Sequence, residues 1–396
     1  MRRLLTLAFL LIGSLCYADD PPRLKLTYKG GCRMPTVANS AIGTGFGSSL
    51  GPVARKPDGS FLVYGLFTTQ EACVVRPNHW GASSTRNSAA LPQSALVQGW
   101  HDPTNGKRAE LNAAYAVTAG QGFRAGGVCY DSANNGYFNL YRWYNVQGES
   151  LPSLFRVAAD GTVSNAYFCG DYHSAKTDYM ITQDASGNLW CGESRPNGVG
   201  IAGPSAYKLA AFDTSLPYKA KQPASEFLLF PLAEPLKWRT PAPLVGGDQF
   251  YRNRPLEQYR PEEQWWFGTS WNCRTMFVRG GSICYVVQRP LGTAWYGDPI
   301  VSDGVTALEC SRTNSRGYNT VAYQTSIYEF PYLISSNGTD KRYREVAGLQ
   351  HKLLELDSSL SGNYNPTTGD LYLLESTADR ATGGPVLHWV NVSEVQ

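Results

Sequence analysis

The sequence predicts an all-β fold, a single β-propeller of about six to eight blades. Apolar or alternating runs follow glycine-bearing turns along most of the chain, which is the pattern of β-hairpins. Helical periodicity is almost absent, and the best helical candidate spans only residues 346–357. A chain of 396 residues is too long for one open sandwich, whereas blades of roughly 45 to 55 residues would accommodate it. A right-handed parallel β-helix is the alternative, but its short rungs would repeat more strictly.

Several strands are predicted directly after turns that contain glycine. They span residues 60–67, 162–170, 188–193, 282–288 and 370–376. Two further strands are predicted near the ends of the chain, at residues 23–31 and 385–392. In a propeller, strands from the two ends commonly complete one blade and close the ring. We therefore expect residues 19–396 to form one domain.

The first residues have the pattern of a secretory signal peptide. Arg2 and Arg3 precede an apolar run, and small residues follow before an acidic pair. The run is shorter than the roughly 20 apolar residues that span a bilayer. Cys16 would suit a lipoprotein, but Leu15 is a poor residue directly before a lipidated cysteine. We expect residues 1–18 to be removed and the mature chain to be exported, either outside the cell or into a periplasm.

Cysteine usage agrees with export. Without Cys16 the chain keeps an even number of cysteines, which in an exported protein predicts disulfide bonds. These cysteines are Cys32, Cys73, Cys129, Cys169, Cys191, Cys273, Cys284 and Cys310. No pair has the C-x-x-C spacing of a zinc or redox site, and most lie in strand-like segments. Disulfide bonds between neighbouring strands are therefore expected, and the sequence does not determine which cysteines pair.

Charge and composition limit the classes of partner. The chain has 35 basic and 32 acidic side chains, and removal of the two N-terminal arginines leaves these charges nearly balanced. A balanced charge gives no indication of a strongly basic surface of the kind that binds nucleic acid or an anionic membrane. The 10 Trp and 24 Tyr suit a strand-rich core and a surface on which rings stack against a sugar. A polysaccharide or glycan is the expected partner, with no membrane span, no cofactor and no metal.

Several short motifs of the chain resemble a known group of proteins. They are "YKGGCRMPT…GTGFGSSLGPVARKPDGSFLVYGL", "GIAGPSAYKLAAFD", "GSICYVVQRPLGTAWYGD" and "NPTTGDLYLLESTAD…GGPVLHWVNV". They resemble segments of uncharacterised secreted bacterial and phage-encoded β-propeller-like proteins. The resemblance implies a propeller over most of the mature chain, and it implies no activity. A weaker analogy, at the level of the fold alone, is to propeller-type polysaccharide lyases.

Polar loop residues provide the groups that a lyase for uronic-acid polysaccharides needs. Such an enzyme abstracts the proton beside a carboxylate, stabilises the enolate-like charge and protonates the leaving oxygen. We predict His173 or His101 as the base, Tyr179 or Tyr207 as the acid, and Arg142 or Arg195 on the carboxylate. Predicted substrate-binding residues are Lys208, Trp143, Trp271 and Arg274.

Other interpretations stay open at this stage. Loop histidines are often only exposed polar residues, and Arg142 on an apolar strand face would suit a structural carboxylate partner. A glycoside hydrolase would need two carboxylates about 5 to 10 Å apart. The stretch "DASGNLW" (residues 184–190) echoes one sialidase-type box, without a convincing second copy. The alternative functions are a non-catalytic carbohydrate- or protein-binding propeller and an extracellular structural or assembly protein.

Overall fold

A computed structural model describes the fold of most of the chain. The described residues are 24–35, 46, 51–65, 70–81, 90–115, 122–142, 151–171, 180–193, 196–197, 200–201, 205–229, 273–279, 282–287, 299–302, 307–310, 332–336, 344–346, 360–379 and 384–394. The predicted signal peptide lies outside them, as does most of the helical candidate at residues 346–357.

The first half of the chain builds two antiparallel sheets. Strand β1 (Leu24–Arg33) comes first and belongs to the last sheet. Sheet I contains β2 (Val53–Arg55), β3 (Phe61–Tyr64), β4 (Ala72–Arg76) and β5 (Ala95–His101) in that order. Helix α1 (Lys107–Ala114) follows, and sheet II contains β6 (Phe123–Tyr130), β7 (Gly136–Arg142) and β8 (Leu154–Val157).

Sheet III occupies the middle of the chain and carries two small additions. Its strands, in order, are β10 (Met180–Gln183), β11 (Leu189–Glu193), β14 (Ser205–Leu209) and β16 (Ala224–Leu229). The additions are β12 (Pro196–Asn197) paired with β13 (Gly200–Ile201), and β9 (Phe168–Cys169) paired in parallel with β15 (Lys221–Gln222).

The last two sheets complete the fold. Sheet IV contains β18 (Met276–Arg279), β19 (Ser282–Val287), β22 (Tyr332–Ser336) and β23 (Arg344–Val346) in that order. Strands β20 (Pro299–Ser302) and β21 (Ala307–Cys310) form a separate pair. Sheet V has the order β1, β26 (Gly384–Glu394), β25 (Asp370–Asp379), β24 (Leu360–Asn365), with β17 (Cys273–Arg274) beside β24.

The sheets follow one another in a propeller arrangement. Strands β2, β6, β10, β18 and β24 are each the first of their hairpins, and each contacts the next, with β24 returning to β2. The two ends of the described chain meet in sheet V, where β1 pairs antiparallel with β26 from Leu24–Glu394 to Arg33–Val386. Four sheets have four or more strands and sheet II has three. Within the described residues, five sheets close the ring, which is fewer than the six to eight blades that the sequence predicts.

Apolar side chains fill the spaces between neighbouring sheets. One cluster joins sheets I and II through residues such as Leu62 and Phe138. Another joins sheets I and V, including Phe61 and Leu387. Burial between stacked sheets is the favourable term that holds the ring closed. No helix in the described part of the chain is long and apolar enough to cross a membrane.

One tight turn recurs at the ends of the hairpins. The turn has five residues and occurs at residues 56–60, 131–135, 158–162 and 184–188. In each copy, the backbone N–H of the first residue donates to the carbonyl of the fifth, and the N–H of the fourth donates to the carbonyl of the first. The fourth residue of each turn has a positive φ: Gly59 (81°), Asn134 (64°), Gly161 (87°) and Gly187 (82°). Glycine and asparagine tolerate this left-handed backbone, which explains why Asp-Gly and Ser-Gly pairs precede the strands.

Helix α1 is a feature that the hydrophobic pattern did not predict. Asp102 organises the turn before it, because its Oδ1 accepts bonds from the Thr104 amide (3.0 Å) and hydroxyl (2.6 Å). Its Oδ2 accepts a bond from the Gly106 amide at 3.1 Å. Leu111 is buried against sheets I and II. The helix is only 8 residues long, so its periodicity is too short to stand out in the sequence.

The predicted disulfide bonds are absent among the cysteines whose side chains are described, and the side chains of Cys273 and Cys310 lie outside the described residues. The six described side chains, Cys32, Cys73, Cys129, Cys169, Cys191 and Cys284, are all buried free thiols. They pack as small apolar groups: Cys32 and Cys73 share one cluster, and three others share the cluster between sheets II and III. Burial raises the pKa of Cys32 and of Cys73 to about 12. Thiols held in this state are poor nucleophiles and act as core residues.

Candidate functional site

The candidate site is a cavity of about 550 Å³ that lies where hairpin turns of four sheets converge. We call it the mouth cavity. Its walls are residues 55–57 of sheet I, residues 129–132 with Tyr137 of sheet II, residues 183–185 with Gly187 of sheet III and residues 363–368 of sheet V. All four segments lie at or beside the turn that follows β2, β6, β10 or β24, and these four strands belong to the ring of contacting strands, so ring closure brings the segments together.

An aspartate holds the sheet II turn. The Oδ1 of Asp131 accepts a hydrogen bond from the backbone N–H of Asn135 at 2.8 Å. Its Oδ2 accepts from Asn135 Nδ2 at 2.8 Å and from the hydroxyl of Tyr137 at 3.1 Å. Burial, together with the nearby Asp131 carboxylate, raises the pKa of Tyr137 to about 12. Tyr137 therefore stays a protonated donor at the wall of the cavity.

The sheet III turn repeats this arrangement. The Oδ1 of Asp184 accepts bonds from the amides of Ser186 and Asn188, both at 2.9 Å. Its Oδ2 accepts from Asn188 Nδ2 at 2.9 Å and from Trp190 Nε1 at 3.0 Å. Both turns thus share the pattern Asp-x-x-x-Asn-x-aromatic, in "DSANNGY" and "DASGNLW". The echo of a sialidase-type box in residues 184–190 reflects a structural turn, and its second copy at residues 131–137 was missed because the aromatic residue differs.

The ionisation of Asp184 should appear in the pH dependence of stability. Burial by itself would raise the pKa of Asp184, but the hydrogen bonds from Asn188, Trp190 and Ser186 outweigh it and lower the pKa. A lowered folded-state pKa contributes stability above the unfolded value, about 3.9, and this stability is lost as the pH falls through the folded value. We expect urea unfolding to show a larger loss between about pH 5 and about pH 2 in wild type than in Asp184→Asn. Equal losses in the two proteins would contradict this role.

The sheet V turn places hydroxyl and amide groups at the cavity. The Oδ1 of Asn365 accepts a bond from the backbone N–H of Thr367 at 3.0 Å. The hydroxyl of Thr368 donates to Asp370 Oδ2 at 2.6 Å, and Asn391 Nδ2 donates to Asp370 Oδ1 at 3.0 Å. These bonds fix the backbone of the turn and leave the exposed Thr367 side chain on the wall.

Two basic residues of sheet I form the remaining wall. The backbone N–H of Arg55 donates to Asn363 Oδ1 of sheet V at 3.1 Å, which anchors this strand at the ring. The Nζ of Lys56 lies over the ring of Tyr130, 5.3 Å from its centroid. Burial raises the pKa of Tyr130 far above its usual range, so its ring presents a neutral face to the ammonium group.

The predicted catalytic residues that the structure describes lie outside the lining of the mouth cavity. His101 ends the outermost strand of sheet I, and its Nδ1 lies 2.9 Å from the carbonyl oxygen of Gly99. Tyr207 is fully buried in the core between sheets II and III. Arg142 ends β7 and is partly buried. His173, Tyr179 and Arg195 lie outside the described residues.

Of the predicted substrate-binding residues, Lys208 is the one whose side chain belongs to the described part of the chain, and it lies beside the cavity wall. Its Nζ is 3.9 Å from Asp184 Oδ2 and 5.7 Å from the centroid of the Trp190 ring. Trp143 and Trp271 lie outside the described residues, and only the backbone of Arg274 is described, in β17. The lining residues Arg55 and Lys56 were not predicted, because charged residues beside a turn have the pattern of an ordinary solvated hairpin.

Comparison with known proteins gives no family for this chain. No protein-family model matches it. No curated protein matches it. Among solved structures, a Bacteroides thetaiotaomicron protein of unknown function is 10% identical, with 94% of this chain and 77% of that chain covered and a TM-score of 0.35.

Two further solved structures have comparable values. An auxiliary nutrient binding protein from Bacteroides thetaiotaomicron is 9% identical, with coverage of 94% and 79% and a TM-score of 0.31. The PQQ-bound aldose sugar dehydrogenase from Streptomyces coelicolor is 11% identical, with coverage of 94% and 99% and a TM-score of 0.32. These similarities are too low to carry an argument about chemistry, so function has to be argued from the cavity itself.

Proposed function

We propose that this protein is an exported carbohydrate-binding propeller and that the mouth cavity is its oligosaccharide site. The observation that carries the proposal is the chemistry of the walls. Amides (Gln183, Asn365) and hydroxyls (Ser132, Thr367) line a cavity large enough for a short oligosaccharide. The Tyr137 hydroxyl donates its proton to Asp131, and its oxygen can still accept a hydrogen bond. Sugars need this combination of hydrogen-bonding groups and ring faces. Export is proposed from the signal-peptide pattern of residues 1–18.

Binding without catalysis fits the described walls better than an acid–base reaction does. Both lining carboxylates, Asp131 and Asp184, accept several hydrogen bonds from their own turns. The hydrogen bonds lower the pKa of Asp184, which makes it a poor proton acceptor, and Tyr137 is held protonated. Among the described lining residues there is no histidine. We therefore place binding first among the functions considered.

The lyase hypothesis can be stated in terms of specific residues. It requires His173, Tyr179 and Arg195 to act at the mouth cavity on a uronic-acid polysaccharide, since His101 lies on the outermost strand of sheet I. We propose it as the second function, favoured by the charged wall of Arg55 and Lys56. Incubation with uronate polymers, followed by ultraviolet absorbance of unsaturated ends, tests it. If product forms in wild type and not in His173→Ala, the protein is a lyase and not only a binding protein. If wild type forms no product, the lyase hypothesis is wrong.

Filling the cavity should weaken binding. Thr367→Trp places a large ring at the wall, and we expect it to lower affinity for a bound oligosaccharide roughly tenfold or more in calorimetric titration. Thr162→Trp is the matched control, because Thr162 is exposed and its amide bonds Asp160 Oδ1 at 2.9 Å, as that of Thr367 bonds Asn365. Thr162 does not line the cavity. Equal affinity in the two variants would place the sugar elsewhere, and no binding to a broad glycan panel would overturn the proposal.

A further inference from the structure

The mouth cavity has an uneven distribution of charge. Its sheet I wall carries two adjacent cations, Arg55 and Lys56, and the walls of sheets II and III carry the carboxylates Asp131 and Asp184. Within the described part of the chain, the ion pairs involve other residues, and neither of these two cations has a carboxylate at ion-pair distance. The charge of Lys56 acts on Asp58 over a longer distance, where it helps to lower the pKa of that carboxyl. Because neither cation is held in a close ion pair, both can contact an anionic group of a ligand.

The contacts of the two cations keep them on the wall. The Arg55 backbone is anchored by Asn363 at 3.1 Å, and its guanidinium interacts with the side chain of Tyr372. The Lys56 ammonium lies 5.3 Å from the centroid of the Tyr130 ring. A cation–π contact of this kind positions an ammonium group without neutralising it. Arginine adds a planar fork of donors that matches a carboxylate or sulfate.

The carboxylates do not offer an equivalent site for a cationic ligand. Asp131 accepts bonds from the amide and side chain of Asn135 and from the Tyr137 hydroxyl. Asp184 accepts bonds from its turn and from Trp190, and the Lys208 ammonium lies 3.9 Å away. Most acceptor positions of both groups are therefore used inside the protein, while both carboxylates keep their negative charge. An anionic group of a ligand is therefore favoured at the sheet I wall, beside Arg55 and Lys56, and disfavoured beside Asp131 and Asp184.

We propose that the sugar bound in the mouth cavity is anionic and that Arg55 and Lys56 bind its carboxylate or sulfate group. This inference rests on the proposed oligosaccharide site and adds the chemical class of its ligand. The anionic group lies at the sheet I wall, and the neutral part of the sugar contacts the amides and hydroxyls of sheets III and V. Specificity for charged over neutral sugars is then set by two residues that are adjacent in the sequence.

Matched ligands test this assignment. The probes are an oligogalacturonate with its carboxyl-reduced counterpart, and a sulfated galactan oligosaccharide with its desulfated counterpart. We expect each charged sugar to bind more tightly than its neutral counterpart, with a preference that decreases at high salt. The double variant Arg55→Gln/Lys56→Gln should lower the affinity for the charged sugar roughly 10- to 100-fold and so remove its preference over the neutral counterpart.

A second double variant controls for charge alone. Arg76→Gln/Lys221→Gln removes the same two charges at exposed positions outside the cavity and should keep the preference. A melting temperature measured for each variant separates loss of folding from loss of binding. If the charged sugar binds more tightly in only one of the two pairs, that pair identifies whether the protein recognises a carboxylate or a sulfate. Equal binding of charged and neutral sugars overturns the anionic assignment and leaves the proposed function intact, whereas binding of neither overturns both.

Discussion

Replacing His388 with alanine is expected to destabilise the protein by about 1 to 3 kcal/mol, the usual cost of leaving a buried polar group without its hydrogen-bond partner. His388 and Glu375 lie on adjacent strands of sheet V, and His388 Nε2 is 3.0 Å from Glu375 Oε2. Their side chains are only 6% and 1% exposed. The substitution leaves a buried carboxylate without this partner, in the sheet that joins the two ends of the chain. Urea unfolding followed by tryptophan fluorescence measures the loss.

Two comparison variants make the result specific. Arg76→Gln breaks the Arg76–Asp58 pair, whose side chains are 48% and 54% exposed, and should cost less than about 1 kcal/mol. Replacing both His388 and Glu375 by leucine should recover part of the loss, because no buried group then lacks this partner. A cost for His388→Ala as small as that of Arg76→Gln would show that the buried pair contributes little.

Replacing Gly127 with valine is expected to destabilise the ring by about 1 to 3 kcal/mol or more, because the backbone of the next sheet occupies the space. A Cβ at Gly127 would lie 2.6 Å from the Ile181 amide nitrogen and 3.0 Å from the Met180 carbonyl carbon. Gly127 is on β6 and both neighbours are on β10, so the clash falls where sheets II and III meet. Backbone atoms of a packed strand cannot move aside as a flexible side chain can.

Gly99→Ala is the matched control for this prediction. Gly99 also lies within a strand, β5, but a Cβ there would meet nothing within 4 Å. We expect Gly99→Ala to change the urea midpoint little, or to raise it slightly by restricting the unfolded chain. If Gly127→Ala and Gly127→Val match Gly99→Ala in their effect, the close approach of β6 and β10 is not required for ring closure.

Much of the fold follows from local rules and was predictable. The strand after Pro57-Asp58-Gly59 is predicted by its turn, because Gly59 supplies the positive φ that the hairpin needs. The strands at the two ends were predicted from alternating apolar residues and lie side by side as β1 and β26. Helix α1 was missed because its 8 residues are too few to show a helical period.

The candidate site was much less predictable. His101 and Tyr207 have suitable chemistry for catalysis, but one ends an outermost strand and the other fills the core. Chemistry-bearing residue types in a loop do not indicate which end of a strand they occupy or which sheet faces them. Lys56 lines the mouth cavity, yet in the sequence it looks like any charge beside a turn.

The sequence by itself determined the strand-and-turn character of the chain, because turn chemistry and alternation act over only a few residues. Only the tertiary structure decided the rest. Closure of the ring brings Lys56, Asp131, Asp184 and Thr367 to one cavity, although they are widely separated along the chain. Stacking of the sheets likewise buried the six cysteines with described side chains as thiols rather than pairing them. Such contacts depend on how sheets pack against each other, and no local pattern encodes that packing.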